Sequence, residues 1–248
     1  MSGNGSPYAD TRDMYAVHTV FRREYALLPG LARSVAAKDE ERARIVADHV
    51  RLVNLFLHHH HSAEDAVLWL RLLQRAPREI DPVISLMEGQ HEMLEVLIGD
   101  VGVRLDAWTD GADSDDGEAL AVVLQRLVGA LYEHMALEER LVLPLVERHI
   151  FATEWEAMIQ VGAADLAPEV GPFVVGMLMY ESGLDAVPPE LRDVLGEVAP
   201  KAYAGYCERV HGTPTPPRSS EVGVGICTPY VGVIAGVGAG AGAGAGWK

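Results

Sequence analysis

A histidine and a glutamate that could bind a metal ion together lie four residues apart, at His134 and Glu138, in a stripe of apolar residues that includes Leu131 and Leu141. Side chains at this spacing lie on one face of a helix, about 5 to 6 Å apart at Cβ, so that both can reach one cation. An unpaired imidazole and carboxylate buried in an apolar face would be strongly destabilising. A bound metal ion would compensate, and imidazole with carboxylate and no thiolate suits iron, zinc or manganese.

The same arrangement occurs 74 residues earlier, at His60 and Glu64. The flanking segments also correspond, since EDAVLWL begins at Glu64 and EERLVLP begins at Glu138. A matched pair of segments is typical of an internal repeat rather than of chance. The repeat therefore predicts two metal-binding helices.

His60 belongs to a run of four histidines, residues 58–61. Successive helical residues are rotated by about 100°, so at most two of the four can face the interior. The repeat selects His60 with Glu64, and His61 with Asp65 is the alternative shifted by one residue. The first two histidines of the run are then expected to face solvent or the surroundings of the site.

Two further apolar stripes each contain one histidine, His18 and His91, and Glu95 follows His91 by one helical turn. A single histidine of this kind is usually a hydrogen-bonded core residue, but here four helices each present one. Tyr25 shares the stripe of His18, where core packing is favoured over a role as a hydrogen-bond donor or redox-active phenol near the metal. His49 lies eleven residues before His60, or about 16 Å along the helix, too far to share the same metal pair.

These side chains lie on helices, because apolar residues recur at helical spacing almost everywhere before residue 210. The chain is predicted to be all-α, with long helices over about 10–36, 39–75, 81–108 and 117–149. Asp110–Glu118, which is acidic and contains glycine, is predicted to be the loop before the fourth helix. Four long helices imply a bundle.

The predicted organisation has four parts: a flexible N-terminus (1–9), a four-helix bundle with the metal site (10–150), a helical extension (151–211) and a low-complexity Gly/Ala/Val-rich tail (212–248). Thr153 is expected to cap the first helix of the extension together with Glu156, three residues later. Weaker helical patterns follow over about 170–182 and 189–211, and His149 and His211 are expected at helix ends. The glycine content of the tail favours disorder over a membrane-spanning helix.

Charge and cysteine content narrow the classes of partner. The formal net charge is −16 and the pI about 4.9, which disfavours nucleic acid and anionic membrane surfaces. The only cysteines, Cys207 and Cys227, have no spacing typical of a disulfide framework. No signal peptide is visible at the N-terminus, so a cytoplasmic location is expected.

The combined pattern, with His, HxxxE, His and HxxxE on successive helices, resembles the hemerythrin family of HHE cation-binding bundles over about residues 10–150. The resemblance implies an up-down four-helix bundle around a non-haem di-iron centre with an oxo or hydroxo bridge. It implies that Glu64 and Glu138 bridge the irons. The implied ligands are His18, His60, Glu64, His91, His134 and Glu138, and the additional candidates are Glu95, His61 and Glu139.

Two departures from the oxygen-carrying hemerythrins argue against reversible oxygen carriage. Those proteins have HxxxH on the third helix, where this chain has Glu95 four residues after His91. They also place the last carboxylate five residues after its histidine, which would select Glu139 instead of Glu138.

Redox chemistry on peroxide or O₂, of the kind used against oxidative stress, is therefore the leading functional hypothesis. Peroxide decomposition is preferred because an extra carboxylate at Glu95 should stabilise ferric iron. The alternative is a sensor or carrier that holds O₂ or nitric oxide without turnover, or simply an iron-binding protein, with the extension (151–211) contacting a protein partner. A ferritin-like site is disfavoured, because it would show ExxH instead of HxxxE. The remaining alternative is a bundle without metal, in which the histidines are only hydrogen-bonded.

Overall fold

The computed structural model describes residues 7–76, 80–164, 170–184, 187, 192–193 and 195–222. The regular elements of this part of the chain are helices, and the prediction of an all-α protein is confirmed. Residues 1–6 and 223–248 lie outside the described residues, and so do most of the predicted flexible N-terminus and of the Gly-rich tail. The start of the predicted helix 189–211 also lies outside them.

The described helices agree closely with the periodicity of the sequence, except that a helix begins at Ser114, inside the segment 110–118 that was predicted to be a loop. They are α1 (Arg12–Ser34), α2 (Glu40–Ala63), α3 (Trp69–Arg75), α4 (Asp81–Thr109), α5 (Ser114–Leu141), α6 (Leu143–His149), α7 (Ala152–Ala164), α8 (Gly171–Ser182) and α9 (Val198–His211). A π-helical turn, Glu64–Leu68, joins α2 to α3. Asp39 and Asp113 cap α2 and α5, because each carboxylate accepts a hydrogen bond from a backbone N–H of the first turn, at 3.0 Å.

The four long helices pack in a closed order, in which α1 contacts α2, α2 contacts α4, α4 contacts α5 and α5 contacts α1. Two separate apolar clusters fill the space between them. One contains Phe21, Leu57, Leu94 and Leu131, and the other contains Met14, Leu68, Met87 and Val142. We call these helices, with their continuations α3 and α6, the four-helix unit.

The order of the clusters along each helix gives the helix directions. α1 and α4 pass from the Met14 cluster to the Phe21 cluster, whereas α2 and α5 pass the opposite way. Neighbouring helices are therefore antiparallel. On each of the four helices, the candidate metal ligands lie between the residues of one apolar cluster and those of the other.

Both helices with an HxxxE segment change their regular geometry directly after the glutamate. After Glu64 the helix widens, so that the Trp69 N–H bonds to the Glu64 carbonyl five residues earlier. After Glu138, α5 ends at Leu141 and α6 begins at Leu143. The apolar stripe on the fourth helix was predicted to include Leu141, but the buried residues after the two glutamates are 68–69 and 142–143.

The described helices after the four-helix unit pack on its outside. α7 contacts α2 and the π-helical turn, and α8 and α9 pack on each other and on α1 and α2. The predicted cap at Thr153 is wrong, because α7 begins one residue earlier and Glu154 accepts the Phe151 N–H at 3.1 Å.

One helical stretch of the described residues, Ser114–His149, is long and apolar enough to cross a membrane by length and composition. The stretch also carries the buried His134 and Glu138 and packs against α1 and α4. A core helix passes the same test, so this stretch is weak evidence for a membrane span.

Candidate metal centre

Seven buried or nearly buried side chains converge between the two apolar clusters. They are His18 on α1, His60 and His61 on α2, Glu64 on the π-helical turn, His91 on α4, and His134 and Glu138 on α5. Six of them are the ligands implied by the resemblance, and the seventh, His61, is one of the additional candidates. The side chain of His60 is 10% exposed and those of His18, Glu64, His134 and Glu138 are fully buried.

The histidines form two groups, each compact enough to hold one metal ion. Ring nitrogens of His61, His91 and His134 lie within 4.8 Å of one another. On the other side, His18 and His60 form a second group with a carboxylate oxygen of Glu138, again within 4.8 Å.

Both carboxylates reach both histidine groups. Glu64 Oε1 lies 3.3 Å from His60 Nε2, and Glu64 Oε2 lies 3.5 Å from His91 Nε2. Glu138 Oε2 lies 3.3 Å from His18 Nε2 and 3.8 Å from His134 Nε2. This is the arrangement needed for two carboxylates to bridge a pair of cations.

The atoms that face the middle of the centre have no hydrogen-bond partner in the structure. They are Nε2 of His18, His60, His91 and His134, both ring nitrogens of His61, and both carboxylate oxygens of Glu64 and Glu138. Buried polar groups are nearly always satisfied, because an unsatisfied one costs about 1 to 3 kcal/mol. So many unsatisfied donor atoms in one place fit a site built for cations.

In three of the histidines, the ring nitrogen that faces away from the centre, Nδ1, lies within hydrogen-bond distance of an acceptor outside it. His18 Nδ1 lies 2.9 Å from Glu139 Oε1 and His91 Nδ1 lies 2.7 Å from Asp65 Oδ1. His134 Nδ1 lies 3.3 Å from Gln90 Oε1. When each Nδ1–H donates to its acceptor, the lone pair of Nε2 points inward, which is the tautomer that a metal ligand needs.

The two buried carboxylates perturb each other. Burial and the nearby Glu138 raise the pKa of Glu64 well above its usual range. Burial also acts to raise the pKa of Glu138, but the close approach of His18 and the other surrounding imidazoles outweigh it and lower this pKa to about 2. Two carboxylates in one buried site do not readily carry charge together without a cation between them.

Most imidazoles of the centre are held neutral, as metal ligation requires. Burial lowers the pKa of His60 to about 3 and that of His134 to about 4, and it lowers the pKa of His61 well below its usual range. His18 differs: burial acts to lower its pKa, but Glu138 and Glu139 raise it overall.

The sequence left His60 and His61 as alternatives, and in the structure both side chains face the centre. The His60 ring faces the His18 ring of α1 edge-on, with centroids 5.5 Å apart. The His61 ring stacks on that of His91 of α4, with centroids 4.1 Å apart. Because α2 packs against both α1 and α4, two adjacent residues about 100° apart can point to different halves of one centre.

Other side chains singled out from the sequence lie elsewhere. Glu95 is exposed and pairs with His58, with 2.8 Å between Oε1 and Nδ1, because its place on α4 faces the outer side of α2. It therefore cannot supply the extra carboxylate expected from the sequence. Tyr25 is buried and donates to Asn54 Oδ1 at 2.9 Å. Glu139 and Asp65 accept hydrogen bonds from His18 and His91 and do not point into the centre.

The sequence reasoning missed Gln90 and the roles of Asp65 and Glu139. All three are directly adjacent in sequence to a ligand glutamate or histidine. Each is a polar residue directly beside a candidate ligand, and this position could have suggested a hydrogen bond to a ligand histidine. The sequence does not show which neighbouring helix faces such a residue, so it does not identify the partner.

Comparison with known families agrees with this geometry. Residues 9–146, more than half of the chain, match the model of the hemerythrin HHE cation binding domain. The chain belongs to this family. Its HHE domain therefore coincides with the four-helix unit, and all seven converging side chains lie within the matched residues.

A weaker similarity links part of the chain to proteins of another kind. The ATP synthase gamma chain of Stenotrophomonas maltophilia is 27% identical over 125 residues, and that of Xanthomonas campestris pv. campestris is 26% identical over the same length. Each match covers 50% of this chain and 42% of the relative, so the chain spans less than half of their length. At this identity and coverage the match does not assign the chain to their family. No solved structure matches the chain.

Proposed function

We propose that the HHE domain is an up-down four-helix bundle that holds a non-haem di-iron centre and uses it for redox chemistry on peroxide or O₂. The observation that carries the proposal is the set of buried donor atoms that face one another without hydrogen-bond partners. When bound, the iron pair would supply an electron acceptor and donor together with a coordination site for a small molecule.

The donor set favours iron. Five imidazoles and two carboxylates, with no thiolate, are typical ligands of iron in an N/O environment. His61, His91 and His134 would hold one ion, and His18 and His60 the other. Glu64 and Glu138 would bridge the two, because each lies close to both groups.

The side of the centre with two imidazoles is the expected binding site for the small molecule. It has one imidazole fewer than the other side, so one coordination position is left for an exogenous ligand. His60 belongs to this side, and its side chain, which is 10% exposed, lies closer to solvent than the fully buried His18 and Glu138. Phe21, which is fully buried, packs on the His60 ring with 5.3 Å between centroids, so the space beside this imidazole suits only a small molecule.

The test measures iron content and peroxide loss together. The reconstituted wild-type protein is compared with His134→Ala, Glu138→Ala and the control His58→Ala, whose side chain is exposed and outside the centre. We expect the first two variants to lose iron and peroxide turnover, and the control to retain both. Equal turnover in all four proteins would refute the enzymatic proposal.

A sensor or carrier of O₂ or nitric oxide is the second candidate, and one contact favours it. A Cβ at Gly162 of α7 would lie 3.4 Å from the carbonyl oxygen of His59 and 3.3 Å from Cβ of Ala63. α7 thus touches α2 on both sides of its ligand histidines. Ligand-dependent protease sensitivity of residues 150–211 without peroxide turnover would support this candidate, and unchanged sensitivity would count against it.

A further inference from the structure

A second group of metal-binding side chains lies outside the HHE centre, between the four-helix unit and α9. It consists of Glu24 on α1, His49 on α2 and His211 on α9, each with one donor atom within 4.8 Å of the others. From the sequence, His211 was expected only to lie at a helix end. It lies beyond the residues matched to the HHE domain, so the group combines that domain with the later part of the chain.

The inward-facing atom of each side chain has no hydrogen-bond partner. These atoms are Glu24 Oε2, His49 Nε2 and His211 Nε2. His49 and Glu24 are 1% exposed, so water does not satisfy them from the surface. His49 Nε2 lies 3.4 Å from Glu24 Oε2, and the rings of His49 and His211 meet edge-on with centroids 5.4 Å apart.

In Glu24 and His49, the polar atom that faces away from the group has hydrogen-bond partners in the surrounding structure. Glu24 Oε1 accepts hydrogen bonds from Arg23 and from Tyr203, the latter at 2.9 Å. His49 Nδ1 lies 2.7 Å from the Tyr206 hydroxyl. These contacts fix the side chains so that Oε2 and Nε2 face each other, as the outer partners of metal ligands do.

The charges around the group disfavour a simple ion pair between imidazolium and carboxylate. Burial, followed by the charges of Arg23 and Arg42, lowers the pKa of His49 to about 3. Burial, followed by the neighbouring His49 and the same two arginines, lowers the pKa of His211 to about 3. Both imidazoles are therefore neutral near pH 7. Arg23 is shared between Glu24 and Glu181, whose Oε1 lies 3.3 Å from Arg23 Nε.

We propose that Glu24, His49 and His211 form a second, mononuclear site for a divalent transition metal ion of the zinc class. Two neutral imidazoles and one carboxylate are a common donor set for such ions, with water completing the coordination. Because the ligands come from α1, α2 and α9, the ion pins the last described helix onto the four-helix unit. This site does not depend on what the HHE centre binds.

The experiment counts zinc ions bound by the metal-free full-length chain. Wild type is compared with His211→Ala and with the matched control His149→Ala, which also removes a partly buried histidine from a helix C-terminus. His211 lies at the end of α9, where truncation to Ala leaves the core intact. Because the HHE centre is unchanged in all three proteins, the differences in zinc count isolate the second site.

We expect His211→Ala to bind one zinc ion fewer than wild type and His149→Ala to bind the same number. Zinc should also raise the thermal midpoint of wild type by more than that of His211→Ala. His49→Gln should repeat the loss of one ion. An equal zinc count in wild type and His211→Ala would overturn the proposal.

Discussion

At the scale of single residues, we propose that His61 takes the place of a histidine that the sequence pattern lacks. The oxygen-carrying hemerythrins have a second histidine on the third helix, where this chain has Glu95, an exposed residue that pairs with His58. His61 instead reaches His91 and His134 from α2, with ring centroids 4.1 and 4.9 Å away. The presence of Glu95 in place of a histidine is therefore a weaker argument against oxygen binding than the sequence alone suggests.

If His61 is a ligand, its loss should weaken one half of the centre. We expect His61→Ala to lower the iron content of the reconstituted protein toward one ion per chain. His59→Ala, one position outside the converging set, should retain the wild-type content. Elemental analysis of folded protein, checked by its helical circular dichroism, measures the difference. The same iron content in both variants would exclude His61 as a ligand.

At the scale of helices, irregular geometry follows both ligand glutamates. The π-helical turn after Glu64 and the break between α5 and α6 after Glu138 shift the buried stripe by one residue. Each ligand side chain can then point into the centre while the following turn buries apolar residues in the second cluster.

The packing of α8 against α9 depends on a glycine. A Cβ at Gly176 of α8 would lie 2.8 Å from the Ala199 carbonyl oxygen and would also clash with Tyr203. Gly176→Ala should therefore destabilise this contact by about 1 to 3 kcal/mol, as overpacking does. Gly205→Ala on α9 has open space and should be neutral or stabilising by up to about 1 kcal/mol.

Limited proteolysis and chemical denaturation measure this difference. Faster cleavage within residues 170–211 is expected for Gly176→Ala only. Matching cleavage rates in the two variants would show that close approach of α8 and α9 is not maintained in solution.

Glu154 attaches α7 to α3, and its contribution depends on pH. Hydrogen bonds from Arg75, with further interactions from Phe151 N–H and Arg71, lower the pKa of Glu154 from 4.5 to about 2. Because the folded-state pKa lies below the ordinary one, the stabilisation is complete above about pH 4.5. It is lost as the pH falls toward 2.

The matching measurement is the free energy of unfolding of wild type, Glu154→Gln and the exposed control Glu156→Gln. Near pH 7 we expect Glu154→Gln to be less stable by about 1 kcal/mol, the usual order for a partly exposed ion pair. Its deficit should shrink as the pH falls below 4.5, while Glu156→Gln stays close to wild type throughout. A deficit independent of pH would contradict the assignment.

At the scale of the whole molecule, the centre brings together polar side chains of four helices that also meet through apolar clusters. Without cations, the inward-facing atoms of two adjacent buried carboxylates and five imidazoles would have no partners. We expect chelation to lower the thermal midpoint and re-addition of metal to restore it.

Salt separates this effect from surface repulsion. The net charge of −16 destabilises the compact state, and added salt screens that repulsion. The difference between the metal-bound and metal-free midpoints should therefore persist at high NaCl. If salt alone removed the difference, the centre would not be the cause.

The sequence by itself determined the helical class, the approximate ends of the long helices and the choice of His18, His91 and the two HxxxE pairs as converging residues. These features follow from local periodicity, because positions four residues apart share a face whatever surrounds the helix. For the same reason, the repeated HxxxE segment predicted which side chains of the two helices share a face.

Only the tertiary structure decided that both His60 and His61 face the centre, that Glu95 faces away, and that His211 meets His49. Each depends on the rotation of one helix against another, and His211 is brought to α2 from a distant part of the chain. A pattern along one helix does not specify which neighbour covers each side of it. That choice is made by packing between helices, which no local spacing encodes.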